Sequence, residues 1–128
     1  MCIRDRFIIE KKDGTKIGFI AHCFVLHPWG KIVEIGYGLV QNERGKGYST
    51  EAAKLMVDYL FLSKEIECIQ ATADVGNVAS HRVLEKTGFK KEGIMRKRFF
   101  YNGQWKDMVL FSILRQEWEE PKILTETA

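Results

Sequence analysis

A chain of 128 residues, 45% hydrophobic and 29% charged, has the length and balance of one globular domain, with room for a single core. No apolar run approaches the ~20 residues needed to span a bilayer. No basic-then-apolar export signal opens the chain, and a net charge of +3 does not by itself argue for nucleic acid.

Residues 7–10 and 16–21 flank Lys12-Asp13-Gly14-Thr15. Asp-Gly between apolar stretches predicts a hairpin, because both turn residues tolerate positive φ. Residues 32–40 predict a third strand, with Val33, Ile35, Tyr37 and Leu39 on one face and Glu34, Gly36 and Gly38 on the other. From 49 to 62 the stripe of Ala52, Ala53, Met56, Tyr59 and Leu60 has a helical period. Residues 67–73 predict a fourth strand. Residues 78–87 predict a second helix, with Asn77 as its N-cap and Gly88 as its left-handed terminator. Two last strands, 89–101 and 104–114, meet at Asn102-Gly103, a type I′ hairpin turn. The order β-β-β-α-β-α-β-β describes an α+β domain with a mixed, mostly antiparallel sheet. A central βαβ crossover makes the third and fourth strands parallel neighbours.

Cys2, Cys23 and Cys68 lie far apart and show no CxxC or Cys/His ligand spacing, so neither a metal site nor a disulfide framework is indicated. Cys23 and Cys68 read as small core residues, and a reducing, cytoplasmic setting fits best.

The loop after the third strand carries the chemistry. Arg44-Gly45-Lys46-Gly47-Tyr48-Ser49 sets two residues without Cβ beside two cations where a helix begins. Such a turn aims several backbone N–H groups at one point, and the helix dipole adds to their pull on a phosphate or pyrophosphate. The P-loop pattern GxxxxGK[ST] does not fit, since Gly47 follows Lys46, and GxGxxG fails at both Gly36-Tyr37-Gly38 and Gly45-Lys46-Gly47. A plain strand-to-helix connection that happens to hold two glycines is the competing explanation.

Four segments in order resemble the GNAT superfamily of N-acetyltransferases, and specifically its RimJ/RimL-like branch. They are the Arg44-Gly45-Lys46-Gly47 loop; Glu34-Ile35-Gly36-Tyr37-Gly38-Leu39; Asn77-Val78-Ala79-Ser80 running on to Lys86-Thr87-Gly88-Phe89; and Glu92-Gly93-Ile94-Met95-Arg96 with Asn102-Gly103 and Asp107. The similarity covers residues 7–114. It implies an N-acetyltransferase that moves an acetyl group from acetyl-CoA, with no metal, to a primary amine by direct attack in a ternary complex.

The same resemblance implies a division of labour. The backbone of Arg44, Gly45, Lys46, Gly47, Tyr48 and Ser49 would hold the pyrophosphate. Tyr37, Gly38 and Leu39 would pair with the pantetheine arm where the parallel strands splay, and a backbone N–H would polarise the thioester carbonyl. Asn77 would contact the pantetheine and Ser80 would lie near the leaving thiolate, although a cap and an early-turn serine explain both residues equally. Glu34 stands as general base, either directly or through water, or as a residue that orients the acceptor. Many relatives place a tyrosine four residues past the serine. Here that residue is Leu84, so Tyr37 or direct departure of the thiolate remains for the leaving group.

Lys90, Lys91, Arg96, Lys97 and Arg98 read as a solvated strand face, or as a site for the 3′-phosphate of CoA or for an acidic macromolecule such as the ribosome. At least half of the interleaved Phe99, Phe100 and Tyr101 are expected in the sheet core. Trp29 is expected to line the acceptor pocket or seal the sheet end. Residues 1–6 show no alternation, cap or turn logic, and one back-translation of them resembles a transposon end used in sequencing-library preparation. They are therefore expected to be a non-native head before a domain at 7–116 that lacks the family's first strand and helices. Residues 117–128 are expected to form a flexible tail. The acceptor is a protein N-terminal amine, a ribosomal protein included, or a small-molecule amine, and the chain is a monomer or homodimer. A non-catalytic CoA-binding module, and a basic nucleic-acid-binding domain built on the last hairpin, are the alternatives.

Overall fold

The computed structural model describes residues 4–27 and 30–121. Its elements are β1 (Arg4–Glu10), β2 (Lys16–His27), β3 (Gly30–Leu39), α1 (Tyr48–Ser63), β4 (Cys68–Asp74), α2 (Val78–Thr87), β5 (Lys90–Tyr101) and β6 (Gln104–Leu114). The strands form one sheet in the order β1-β2-β3-β4-β6-β5, in which only β3 and β4 run parallel. This is the α+β order read from the sequence.

Local chemistry explains the boundaries. At the first hairpin Gly14 has φ 93°, and the Thr15 N–H donates to Asp13 Oδ1 at 2.9 Å. Asn102 and Gly103 both take positive φ, 50° and 74°, as a type I′ turn requires. The Asn77 side chain caps α2 by accepting from the Ser80 N–H at 3.2 Å, and Gly88 ends the helix at φ 103°.

Both helices pack on one face of the sheet. Val33, Ile35, Ile69, Ala71, Ala73, Val109, Phe111 and Ile113 point to them from alternate strand positions, and they meet Ala52, Met56, Val57, Leu60, Phe61 and Leu84. The opposite face carries the intervening residues, Glu34, Gln70 and Ser112 among them, which the strand registers set side by side.

Arg115 fastens the end of β6 to the end of α1. Its guanidinium lies 5.0 Å from the Phe61 ring and donates to Phe61 O at 2.9 Å, Lys64 O at 2.6 Å and Ile66 O at 2.8 Å. A helix C-terminus leaves its last carbonyls without partners, and a planar fork of donors collects them.

Arg4, Asp5 and Arg6, for which no local pattern predicted an element, pair with Cys23, His22 and Ala21. Two expectations need correction. Glu117 and Trp118, assigned to a frayed tail, are held. Glu117 pairs with Lys90 and accepts from the Leu114 N–H, and Trp118 donates to Asp58 Oδ1 at 2.8 Å while its ring packs on Phe61. Cys23 is buried as expected, but it is disulfide-bonded, which its spacing had not suggested.

Two predictions follow from these contacts. Arg115→Met removes three charge-assisted hydrogen bonds and should lower the unfolding free energy by ~2–4 kcal/mol in urea titration, with Arg115→Lys restoring only part of it. The second concerns His22, which is buried beside Phe7 and Tyr59 with its Nδ1 unpartnered among the described residues. Burial pushes the His22 pKa below its ordinary value; the Asp5 carboxylate opposes this and Lys64 adds to it. Below about pH 6.5 the unfolded chain therefore binds the proton that the folded chain refuses, and stability falls. The urea midpoint should be lower at about pH 5.5 than at about pH 7.5, and His22→Phe should shrink that difference.

Candidate active site

The site is made by a pairing that stops early. β3 and β4 share three rungs, Ile32↔Cys68, Val33↔Ile69 and Glu34↔Gln70, and then part, although β3 continues to Leu39 and β4 to Asp74. The sequence predicted this splay beyond Glu34. On its other side β3 stays paired with β2 as far as Leu39. The Val40 N–H donates to Ile17 O at 2.8 Å, which fixes the alternation along the strand. Glu34, Gly36 and Gly38 turn their backbone polar groups to β2, and Ile35, Tyr37 and Leu39 turn theirs into the fork.

Glycine serves two purposes here. A Cβ on Gly38 would lie 2.9 Å from the Phe19 ring, so Gly38 permits close packing between β3 and β2 and sends no N–H into the fork. A Cβ on Gly36 would meet nothing within 4 Å, which leaves open space beside Glu34 on the face without helices.

The candidate residues divide between the two faces. On the face without helices, half-buried Glu34 accepts through Oε1 from Gln70 Nε2 at 3.1 Å. On the helix face the Tyr37 hydroxyl lies 2.9 Å from Ser80 Oγ. Asn77 accepts the Ser80 N–H, so Tyr37, Ser80 and Asn77 form one group at the start of α2. Burial raises the Tyr37 pKa above its ordinary value, and the Ser80 contact pulls the other way. A neutral Tyr37 is thus a hydrogen-bond donor rather than a ready acid. The three-residue step from Glu34 to Tyr37 is about 10 Å along the strand, and the fork is the opening that connects the two faces.

At the wide end of the fork lies the glycine loop. Gln41–Glu43 makes one 3₁₀ turn, Gly45 has φ 79°, and Gly47 precedes α1 at φ 85°. No side chain caps α1, so the N–H groups of Tyr48, Ser49 and Thr50 face outward from the first turn without helical partners. A Cβ on Gly45 or Gly47 would meet nothing within 4 Å; positive φ, rather than crowding, selects glycine at both positions. The loop's cations are engaged within the protein. Arg44 Nε donates to Leu39 O at 3.1 Å, Lys46 pairs with Glu43 at 3.2 Å, and Lys11 of the first hairpin pairs with the same carboxylate at 3.3 Å. These contacts with Lys46 and Lys11 hold the Glu43 carboxyl below its usual range. The attraction offered to an anion is therefore mainly that of backbone N–H groups.

Sequence reasoning missed Gln70 and Glu43. Gln70 meets Glu34 only through pairing between distant segments, whereas Glu43 sits beside the loop and pairs locally with Lys46 and at long range with Lys11. Sequence reasoning also misplaced the aromatics of β5, at least half of which were expected in the core: Phe99, Phe100 and Tyr101 are all exposed, because β5 is the outer strand and β4 ends opposite Met108. Arg96, Lys97 and Arg98 sit in a bulge where the β5–β6 register shifts, and the Lys97 N–H is held by Asp107 at 2.9 Å. Trp29 falls outside the described residues. A second groove of about 460 Å³ lies between β1 and α1, lined by Ile9, Ile17, Ala52 and Leu55, and it meets the glycine loop at Tyr48 and Lys11.

Comparison with known proteins gives a consistent answer. A family description, "Acetyltransferase (GNAT) domain", matches residues 3–90. The probable N-acetyltransferase YjcK of Bacillus subtilis is 38% identical over 113 residues, which cover 88% of this chain and 62% of that protein. The putative ribosomal N-acetyltransferase YdaF of the same organism is 35% identical, covering 86% of this chain and 60% of the relative. Among solved structures, Mycobacterium smegmatis RimJ in complex with CoA-disulfide superposes with a TM-score of 0.84 at 27% identity, over 97% of this chain and 60% of that one. The chain thus spans about three fifths of the length of the relatives it matches. With its fold, its fork between parallel strands and its glycine-led helix, the chain belongs to the GNAT acetyltransferase family.

Proposed function

We propose that this protein is an acetyl-CoA-dependent N-acetyltransferase acting on a primary amine, of the RimJ/RimL-like kind and in a cytoplasmic setting. One observation carries the reading: the parallel ladder ends at Glu34↔Gln70, and past it a strand edge opens toward an uncapped helix start.

The fit to acetyl-CoA rests on the protein's own groups. The N–H groups from Gly45 to Ser49 suit a pyrophosphate, and the Tyr37 and Leu39 backbone suits the amides of an extended pantetheine arm. Arg44 holds Leu39 O, so that carbonyl becomes available only if the guanidinium turns away. When bound, acetyl-CoA supplies a thioester acyl group that a neutral amine can attack.

An ammonium acceptor must first lose a proton. Glu34, in open space on the face without helices, takes it directly or through one water. On the other face the Tyr37 and Ser80 hydroxyls lie 2.9 Å apart, and with Tyr37 as the donor the Ser80 O–H can turn into the fork and hydrogen-bond a departing thiolate. Neither hydroxyl needs to ionise, which agrees with the raised pKa of Tyr37.

Two relatives are named for amine substrates. One structural neighbour, from Vibrio fischeri, is a ribosomal-protein-S5-alanine acetyltransferase, and an Escherichia coli relative is a spermidine N(1)-acetyltransferase, 29% identical to this chain. The screen for this protein is accordingly an alanine-terminated peptide against spermidine.

Calorimetry with acetyl-CoA should show micromolar or tighter binding, and thiol release should then rise with an amine from that screen. No binding at all would remove the proposal. Glu34→Gln should lower kcat by about 10²-fold or more while leaving acetyl-CoA affinity within a factor of two or so. Gly47→Ala should weaken acetyl-CoA binding and cost ~1–2 kcal/mol of stability, because alanine resists φ 85°.

A further inference from the structure

Gln70 holds a place that no role described so far explains. It is the Cα partner of Glu34 in the last rung before the fork and of Ser112 on its other side, so it sits in the middle of a row of polar residues across the face without helices. Its Nε2 lies 3.1 Å from Glu34 Oε1. An ionised carboxylate only accepts hydrogen bonds, so the amide must present its nitrogen there. Among the described residues no hydrogen bond reaches Glu34 Oε2.

Resting on the reading of Glu34 as base, we propose that Gln70 is a positioning residue that fixes the Glu34 carboxylate, tying down Oε1 so that Oε2 meets the acceptor's ammonium proton. The β3–β4 ladder supplies the rigidity. Its rungs at Val33↔Ile69 and Glu34↔Gln70 lock the two backbones, and buried Val33 and Ile69 anchor the same rungs from the helix face. The side chains of a parallel rung point to the same side, so the amide reaches the carboxylate without bending the chain. Ser112, the neighbour on the far side, donates its hydroxyl to Glu92 Oε1 at 2.6 Å. That leaves Glu34 as the carboxylate Gln70 serves. A neutral donor suits the task, because it directs the carboxylate without setting a positive charge against the incoming cation.

The step served is a simple proton transfer. The N–H bond of the ammonium breaks, its electron pair stays on nitrogen, and the proton passes to Glu34 Oε2. Gln70 takes no part in the exchange and acts only on its geometry.

A double-mutant cycle on the full chain tests this, using Glu34→Gln, Gln70→Met and the pair. Gln70→Met should lower kcat about tenfold, the loss of one orienting hydrogen bond, while acetyl-CoA affinity by calorimetry is unchanged. In the Glu34→Gln background the same substitution should have almost no effect on kcat. Gln70→Asn, polar but one methylene too short to reach, should match Gln70→Met and covers the case in which methionine disturbs folding. An equal effect of Gln70→Met in both backgrounds would overturn the positioning role. A Glu34→Gln variant with full activity would instead overturn the base assignment on which it rests. Thermal unfolding of the same proteins, which needs no turnover, should give non-additive losses, and additive ones would also count against the proposal.

Discussion

Everything that matters for chemistry in this domain depends on a parallel β pair that is only three rungs long. Parallel strands need a crossover, and here the crossover is the loop and helix between Leu39 and Cys68. The helix packs over the sheet and brings β4 back beside β3 at its beginning, but the two strands then diverge. β3 remains a full partner of β2 and β4 a full partner of β6, so the sheet stays whole around a local gap. In a sheet interior, unpaired backbone groups are costly unless water or a ligand meets them. A fork of this kind is therefore open to water or to a ligand, and under the proposed function the amides of the pantetheine arm would pair there.

The fork also explains why the candidate residues lie on opposite faces. Odd-numbered positions of β3 send Val33 and Ile35 into the core and Tyr37 to the start of α2, and even-numbered positions send Glu34 to the face without helices. In the proposed reaction, proton removal and leaving-group support would thus be kept apart by the sheet itself. The two tasks need different surroundings. A base that must meet a hydrated ammonium belongs in open space, whereas a hydroxyl pair that must stay neutral belongs under a helix.

Much of this was legible in the sequence, for reasons that are local. The two helices, the two hairpin turns, the Asn77 cap, Gly88 and the two faces of β3 all follow from periodicity and turn chemistry within a few residues. So did the glycine turn into α1, because Gly45 and Gly47 just before a helical period are a local signal for positive φ. What periodicity cannot carry is which strand ends at the margin of the sheet and which distant side chains meet. The aromatics at 99–101 read as core because β5 has strand composition, but β5 has a neighbour on one side only. Gln70 meets Glu34, and Lys11 meets Glu43, only through pairings more than thirty residues apart. Nothing local singles out Arg115, which β6 brings to the end of α1 from more than forty residues away.

The alternation along β3 has a consequence for how the protein can vary. The same strand phase decides which backbone groups enter the fork and which side chain faces the acceptor. A one-residue insertion or deletion between Val33 and Tyr37 would exchange the two sets at once. It would send a carboxylate toward the core and an apolar residue toward the acceptor. Side chains along this strand can therefore be substituted one at a time, whereas a change in its length alters both sets together.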